Sequence, residues 1–129
     1  MLRLARNPKF WLAGFSLWLG SLWVSSSFSH VGTYMPPVNH FDKVAHFGYF
    51  LGGGGLWSAY LFCRNPANPD WRWIFTMSVL VVAAVGILDE WHQSFTLGRS
   101  GNDPYDWIAD LLGGSSGALI FRRMHHLLK

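Results

Sequence analysis

Long apolar segments alternate with short polar connections along the whole chain. The first segment, at about residues 10–28, reads FWLAGFSLWLGSLWVSSSF, and the second, at about 44–62, reads VAHFGYFLGGGGLWSAYLF. The third, at about 73–90, is the most apolar and contains WIFTMSVLVVAAVGIL. The fourth, at about 105–122, reads YDWIADLLGGSSGALIFR and is the weakest. A helix crosses a bilayer with roughly 17–25 mostly apolar residues. The pattern therefore predicts an all-α integral membrane protein with four transmembrane helices. The connections are short: CRNPANPDWR at 63–72 on one side, 29–43 and 91–104 on the other. Short connections favour a compact antiparallel bundle, with residues 1–129 as a single domain.

Composition agrees with that reading. Half of the chain is hydrophobic and 13% is charged, against about 25% charge in a soluble domain. Basic residues then set an orientation. Arg3, Arg6, Lys9, Arg64, Arg72, Arg122, Arg123 and Lys129 fall on one side, and only Lys43 and Arg99 on the other. Positive residues stay on the cytoplasmic side, so both termini are expected there. Asp42, Asp89, Glu90, Asp103, Asp106 and Asp110 fall at the outer side, leaving Asp70 inside. Trp11, Trp71 and Trp73 mark the inner interface, and Trp23, Trp91 and Trp107 the outer one, as an aromatic belt requires. The first segment follows MLRLARNPK and has no small-residue cleavage site after it, so it is read as a retained helix rather than a signal peptide.

The pI of about 9.4 raises nucleic acid as a partner. No basic cluster with interleaved aromatics supports it, and the lipid bilayer is the expected partner instead. The single Cys63 allows no internal disulfide and no cysteine metal motif. Glycine is dense in two segments, at Gly48 and Gly52 to Gly55, and at Gly113, Gly114 and Gly117. That is costly in a water-exposed helix but lets helices in lipid approach closely.

The candidate chemistry gathers at the outer ends. GILDEWHQSF closes the third segment with Asp89, Glu90, His92 and Gln93. FDKVAHFGYF opens the second, where Asp42 and His46 share a helical face and Lys43 and His46 are neighbours. Asp89 shares a face with His92 and Gln93 by the same spacing, while Glu90 points about 100° away. TLGRSGNDPYD carries Arg99 in a Gly- and Ser-rich turn, then Asp103–Pro104 as a helix start. Asp42 also reads as a cap. Asp106 falls in the first helical turn, where the dipole favours it, and Asp110 lies one turn deeper. Charged groups deep in a bilayer cost at least about 2.5 kcal/mol. Asp89, Glu90, His46 and Asp110 together therefore suggest one functional cleft.

The ordered set DKVAHFGYF, GILDEWHQSF and GRSGNDPYDWIADLLGG resembles the VanZ-like family of small bacterial membrane proteins, over about residues 41–117. The matched positions are Asp42, Lys43, His46, Asp89, Glu90, Gln93, Arg99 and Asp106. The chain departs from the family pattern at Asp110, where the family usually has Asn. The resemblance implies a multi-pass protein of the bacterial inner membrane and cell envelope, similar to proteins linked to low-level teicoplanin (glycopeptide) resistance.

Three functions fit these residues. In the first, a membrane enzyme acts on a lipid-linked or cell-wall-related substrate at the periplasmic or extracellular side. Glu90 is then the base, Asp89 and His46 are ligand or orienter, and Lys43 and Arg99 clamp an anion. Gln93, Asp42, Asp106 and Asp110 complete the substrate-binding set. A divalent metal, if one is used, would take Asp89, Glu90, His46 and His92. In the second, the cleft binds a lipid-linked or glycopeptide ligand without catalysis, or a homo-oligomer forms a permeation path. In the third, an ion-pair network simply locks the helix ends.

Overall fold

The computed structural model describes residues 2–28, 41–98 and 101–128. A short helix α1 (Leu2–Ala5) leads into α2 (Pro8–Ser27), followed by α3 (Phe41–Arg64), α4 (Trp71–Gln93) and α5 (Pro104–Met124), with a final 3₁₀ turn at His125–Leu128. There is no strand among the described residues. The four apolar segments correspond to α2 to α5, the first running one residue past the end of α2 to its C-cap Phe28; α1 and the terminal turn are additional. Short polar residues start three of these helices. The Asn7 side chain accepts from the Lys9 N–H, the Asp70 side chain from that of Trp73 at 3.0 Å, and that of Asp103 from Tyr105 at 2.9 Å. Pro8 and Pro104 occupy the first turns of α2 and α5, where a missing N–H costs nothing.

Consecutive long helices run antiparallel, yet the most intimate pair is not consecutive. It is α3 with α5, which run parallel, their contacts advancing together along both chains. A Cβ built on Gly113 would fall on the carbonyl of Phe47, one on Gly117 on that of Leu51, and one on Gly54 on that of Gly114. The two backbones touch because no side chain stands between them. The other helices close around this seam. Trp18 of α2 donates its indole N–H to the Tyr49 carbonyl at 3.0 Å, and the Tyr49 hydroxyl returns a bond to the Trp18 carbonyl at 3.0 Å. Ser58 and Ser78 pair at 2.8 Å between α3 and α4, and Trp107 reaches the Ala83 carbonyl at 3.2 Å between α5 and α4. At the end carrying Arg64, Arg72 and Arg122, Phe62, Cys63 and Ile74 pack with Trp11, Trp71 and Phe121.

Polar groups are buried beside an apolar core, and large apolar side chains face outward. Ser26, Ser58, Ser78, Asp89, Glu90, Gln93, Asp106 and Asp110 are buried, while Leu17, Val24, Leu80, Ile87, Leu88, Leu112 and Leu119 face outward. Helix α4 shows it best: Ser78, Gly86, Asp89 and Gln93 point inward, and Leu80, Ile87, Leu88 and Trp91 outward. Among the described residues, α4 is the one helix long and apolar enough, by length and composition, to cross a membrane. Helices α3 and α5 carry Gly, Ser and ionisable residues, which lower their mean hydropathy relative to α4.

The seam gives a direct test. Gly54→Ala drives a methyl into the Gly114 carbonyl, and overpacking of this kind costs about 1–3 kcal/mol. Gly48→Ala, where a Cβ meets nothing within 4 Å, is expected to be neutral or slightly stabilising through helix propensity. Thermal unfolding in detergent should separate the two variants.

Candidate functional site

The parallel seam brings the starts of α3 and α5 side by side. Lys43, in the first turn of α3, extends its ammonium to Asp103 Oδ2 at 2.7 Å and to Asp106 Oδ1, with Asp42 Oδ2 at 3.6 Å. One turn on, His46 Nδ1 meets Asp110 Oδ1 at 2.8 Å, and its Nε2 lies 3.8 Å from Asp106 and 3.9 Å from Asp42. Two positive helix ends face this cluster, which favours the acids of the first turns. Asp42 lies inside the first turn of α3 and not at a cap; its carboxylate stands against Lys43 and His46 and is largely exposed.

The acids of α4 stand in the opposite situation. Asp89 and Glu90 occupy its C-terminal turn, where the helix dipole repels a negative charge. Neighbouring donors offset that. The Ser26 hydroxyl of α2 donates to Asp89 Oδ1, and the Gln93 amide donates to Asp89 Oδ2 at 2.7 Å. Glu90 Oε2 accepts the Asp103 backbone N–H at 2.8 Å, from the start of α5. This last bond depends on the turn before α5 closing tightly. A Cβ on Gly101 would strike the Ser94 backbone, and Asn102 takes a positive φ of 67°. Glu90 Oε1 and Asp110 Oδ2 are buried with no hydrogen-bond partner.

Of the residues the sequence singles out, Asp42, Lys43, His46, Asp89, Glu90, Gln93, Asp106 and Asp110 come together at this end of the bundle. Arg99 lies outside the described residues. His92 turns away from the cluster. Its ring stacks on Trp23 with centroids 3.9 Å apart, and Nε2 lies 3.3 Å from the Ser27 hydroxyl. Lys43 is held by acids of its own chain, so an anion would have to displace them. Ser26 and Thr96 are additions. Thr96 donates to the Ser26 carbonyl at 3.1 Å and ties the turn after α4 to α2. The serine run at 25–27, ending an otherwise apolar segment, is the signal that could have pointed to Ser26.

Two sets of side chains could hold a cation. His46, Asp89 and Glu90 place one ligand atom each within 4.8 Å of one another, and so do Asp42, His46 and Asp106. Beyond coordination, the buried carboxylates of Glu90 and Asp110 can take up or release a proton, and imidazole is the usual shuttle.

A small, mostly helical bundle with a polar end built from four helices defines the class. The chain belongs to the VanZ/LLP1 family, whose model matches residues 7–127. Comparisons with curated proteins and with solved structures give no match.

The Lys43 cluster has a defined pH signature. The hydrogen bond from Lys43 holds the Asp103 carboxyl below its usual value of 3.8. Burial opposes the Lys43 charge, but the bonds and attraction to Asp103 and Asp106 outweigh it and hold its pKa above the usual 10.5. Asp103 thus contributes stability above pH 3.8 that is lost as pH falls through its lowered pKa. Lys43 contributes stability below pH 10.5 that is lost as pH rises through its raised one. Its side chain is 29% exposed, so Lys43→Met should cost about 1–3 kcal/mol, between exposed and buried pairs. Unfolding curves across pH should show both limbs in the wild type and a flattened profile in the variant.

Proposed function

We propose that this chain is a four-pass protein of the bacterial cell envelope, with both termini in the cytoplasm. Its polar end opens on the periplasmic or extracellular side and takes the head of a lipid-linked or cell-wall-related molecule. The observation that carries this reading is a buried, partly unpaired group of carboxylates at one end of helices whose outer faces are apolar. In a bilayer such a group is expensive and marks function by default. The apolar outer faces favour lipid contact along α2 to α5, and the basic residues at the opposite end favour the stated orientation.

Within that cleft Glu90 is the best placed general base. One oxygen is fixed by the Asp103 N–H and the other is free to receive a proton. The family resemblance suggests the biological context, low-level teicoplanin resistance, and with it a glycopeptide or a cell-wall precursor as the recognised chemistry. A structural reading is favoured by different contacts: Lys43 with Asp103 and Asp106, and His46 with Asp110, link α3 to α5.

Glu90→Gln separates the two. The amide oxygen of Gln can still accept the Asp103 N–H, and loss of a buried charge lowers desolvation cost. The variant should keep the wild-type unfolding temperature within a few degrees. The wild-type gene should restore protection against teicoplanin to a deletion strain, and the variant gene should not. Retained protection, or a collapse in unfolding temperature, would favour the structural reading. Topology has its own test: Asp42→Cys should react with a membrane-impermeant maleimide in intact cells or osmotically opened outer membranes, whereas Arg64→Cys should react only after the inner membrane is breached.

A further inference from the structure

We propose that His46, Asp89 and Glu90 form a binding site for a divalent transition-metal ion of the Zn²⁺ or Mn²⁺ class. The inference stands on the residues alone and does not depend on what the cleft recognises.

Three observations carry it. First, Glu90 is only 5% exposed, and its Oε1 has no partner. A buried carboxylate oxygen left bare is costly, and this one belongs to a side chain whose ligand atom lies within 4.8 Å of those of Asp89 and His46. Three ligands bound at about 2.0–2.2 Å stand about 3.3–3.8 Å apart around an ion, so a closure of at most about 1.5 Å completes the site.

Second, each side chain is already oriented by a separate donor or acceptor, as metal ligands are. Asp110 Oδ1 lies 2.8 Å from His46 Nδ1 and fixes the ring; an ion would take the other nitrogen of the neutral imidazole. Ser26 and Gln93 hold the two oxygens of Asp89. The Asp103 N–H holds Glu90 through Oε2. Four separate segments, α2, α4, α5 and the turn before α5, contribute to fixing three ligands.

Third, the described residues supply these two acids, Asp89 and Glu90, with no cationic Lys or Arg side chain. The alternative set, Asp42, His46 and Asp106, already has a cation: Lys43 is bonded to Asp106, and the Asp42 side chain is 68% exposed. One imidazole with two carboxylates suits Zn²⁺ or Mn²⁺. Three protein ligands leave coordination positions open. An ion there would present to an incoming phosphate or carboxylate the positive charge that Lys43, engaged by its own acids, does not.

The test uses the full chain purified in mild detergent, stripped with a chelator and titrated with Mn²⁺. Loss of the free-ion signal in electron paramagnetic resonance reports binding, and Zn²⁺ is then added as competitor. The expected result is a single saturable site. Glu90→Gln and Asp89→Asn should each weaken it at least about tenfold, with helical circular dichroism unchanged, and Asp42→Asn should leave it as in the wild type. A folded wild type that binds neither ion at millimolar concentration overturns the proposal. So does binding that survives both Glu90→Gln and Asp89→Asn, or that depends on Asp42. Should Asp89→Asn fail to fold, His46→Ala replaces it, because it removes the third proposed ligand and should weaken the site by the same factor. The titration reads the metal and the teicoplanin assay reads the cleft's function, so either can fail alone.

Discussion

The rest of the molecule depends on two backbones meeting without side chains between them. Where α3 and α5 cross, Gly113, Gly117 and Gly54 put carbonyls where other residues would carry a Cβ. That contact sets the distance and register of the parallel pair. It places Lys43 opposite Asp103 and Asp106, and His46 opposite Asp110, though each pair is separated by 60 residues or more in the chain. A side chain in the seam would move the two helices apart, and a polar cluster built on bonds of 2.7–2.8 Å has no slack to follow.

Helix α4 is placed by a different balance. Its final turn carries two acids at the end of the helix dipole where a cation belongs. Its own sequence offers Gln93 as a donor, and the remaining donors come from other elements, Ser26 of α2 and the N–H at the cap of α5. The polar end is thus a joint among α2, α3, α4 and α5 rather than the property of one helix, and Gly101 permits the tight approach that the Asp103–Glu90 bond requires.

Much of the architecture is written in local signals. Four apolar runs correspond to four long helices because each run is bounded by turn-forming residues and short acids, as at Asp70 and at Asp103–Pro104. The four-residue step from Asp42 to His46 puts both on one face in the sequence and in space. Partner choice is less legible. Dense glycine announces close packing without saying which helix meets which, and short connections suggest that neighbours in sequence pack best, whereas α3 prefers α5. His92 shows the limit of spacing arguments: three residues from Asp89, it is close enough to share a face, yet it is captured by the Trp23 ring. Ser26 is invisible to such arguments because its partner lies on another segment.

The order of synthesis bears on the glycine seam. Helices α2, α3 and α4 emerge before α5, and until α5 arrives Glu90 has no backbone donor, Lys43 lacks both of its closest acids and His46 lacks Asp110. The nascent chain therefore passes through a stage in which three helices are present and their charged ends are unreconciled. Capture of α5 against α3 is what ends it. A truncation that removes α5 leaves α3 with an uncovered glycine groove and the acids of α4 without the Asp103 donor. The seam is in this sense the last step of assembly as well as its structural centre.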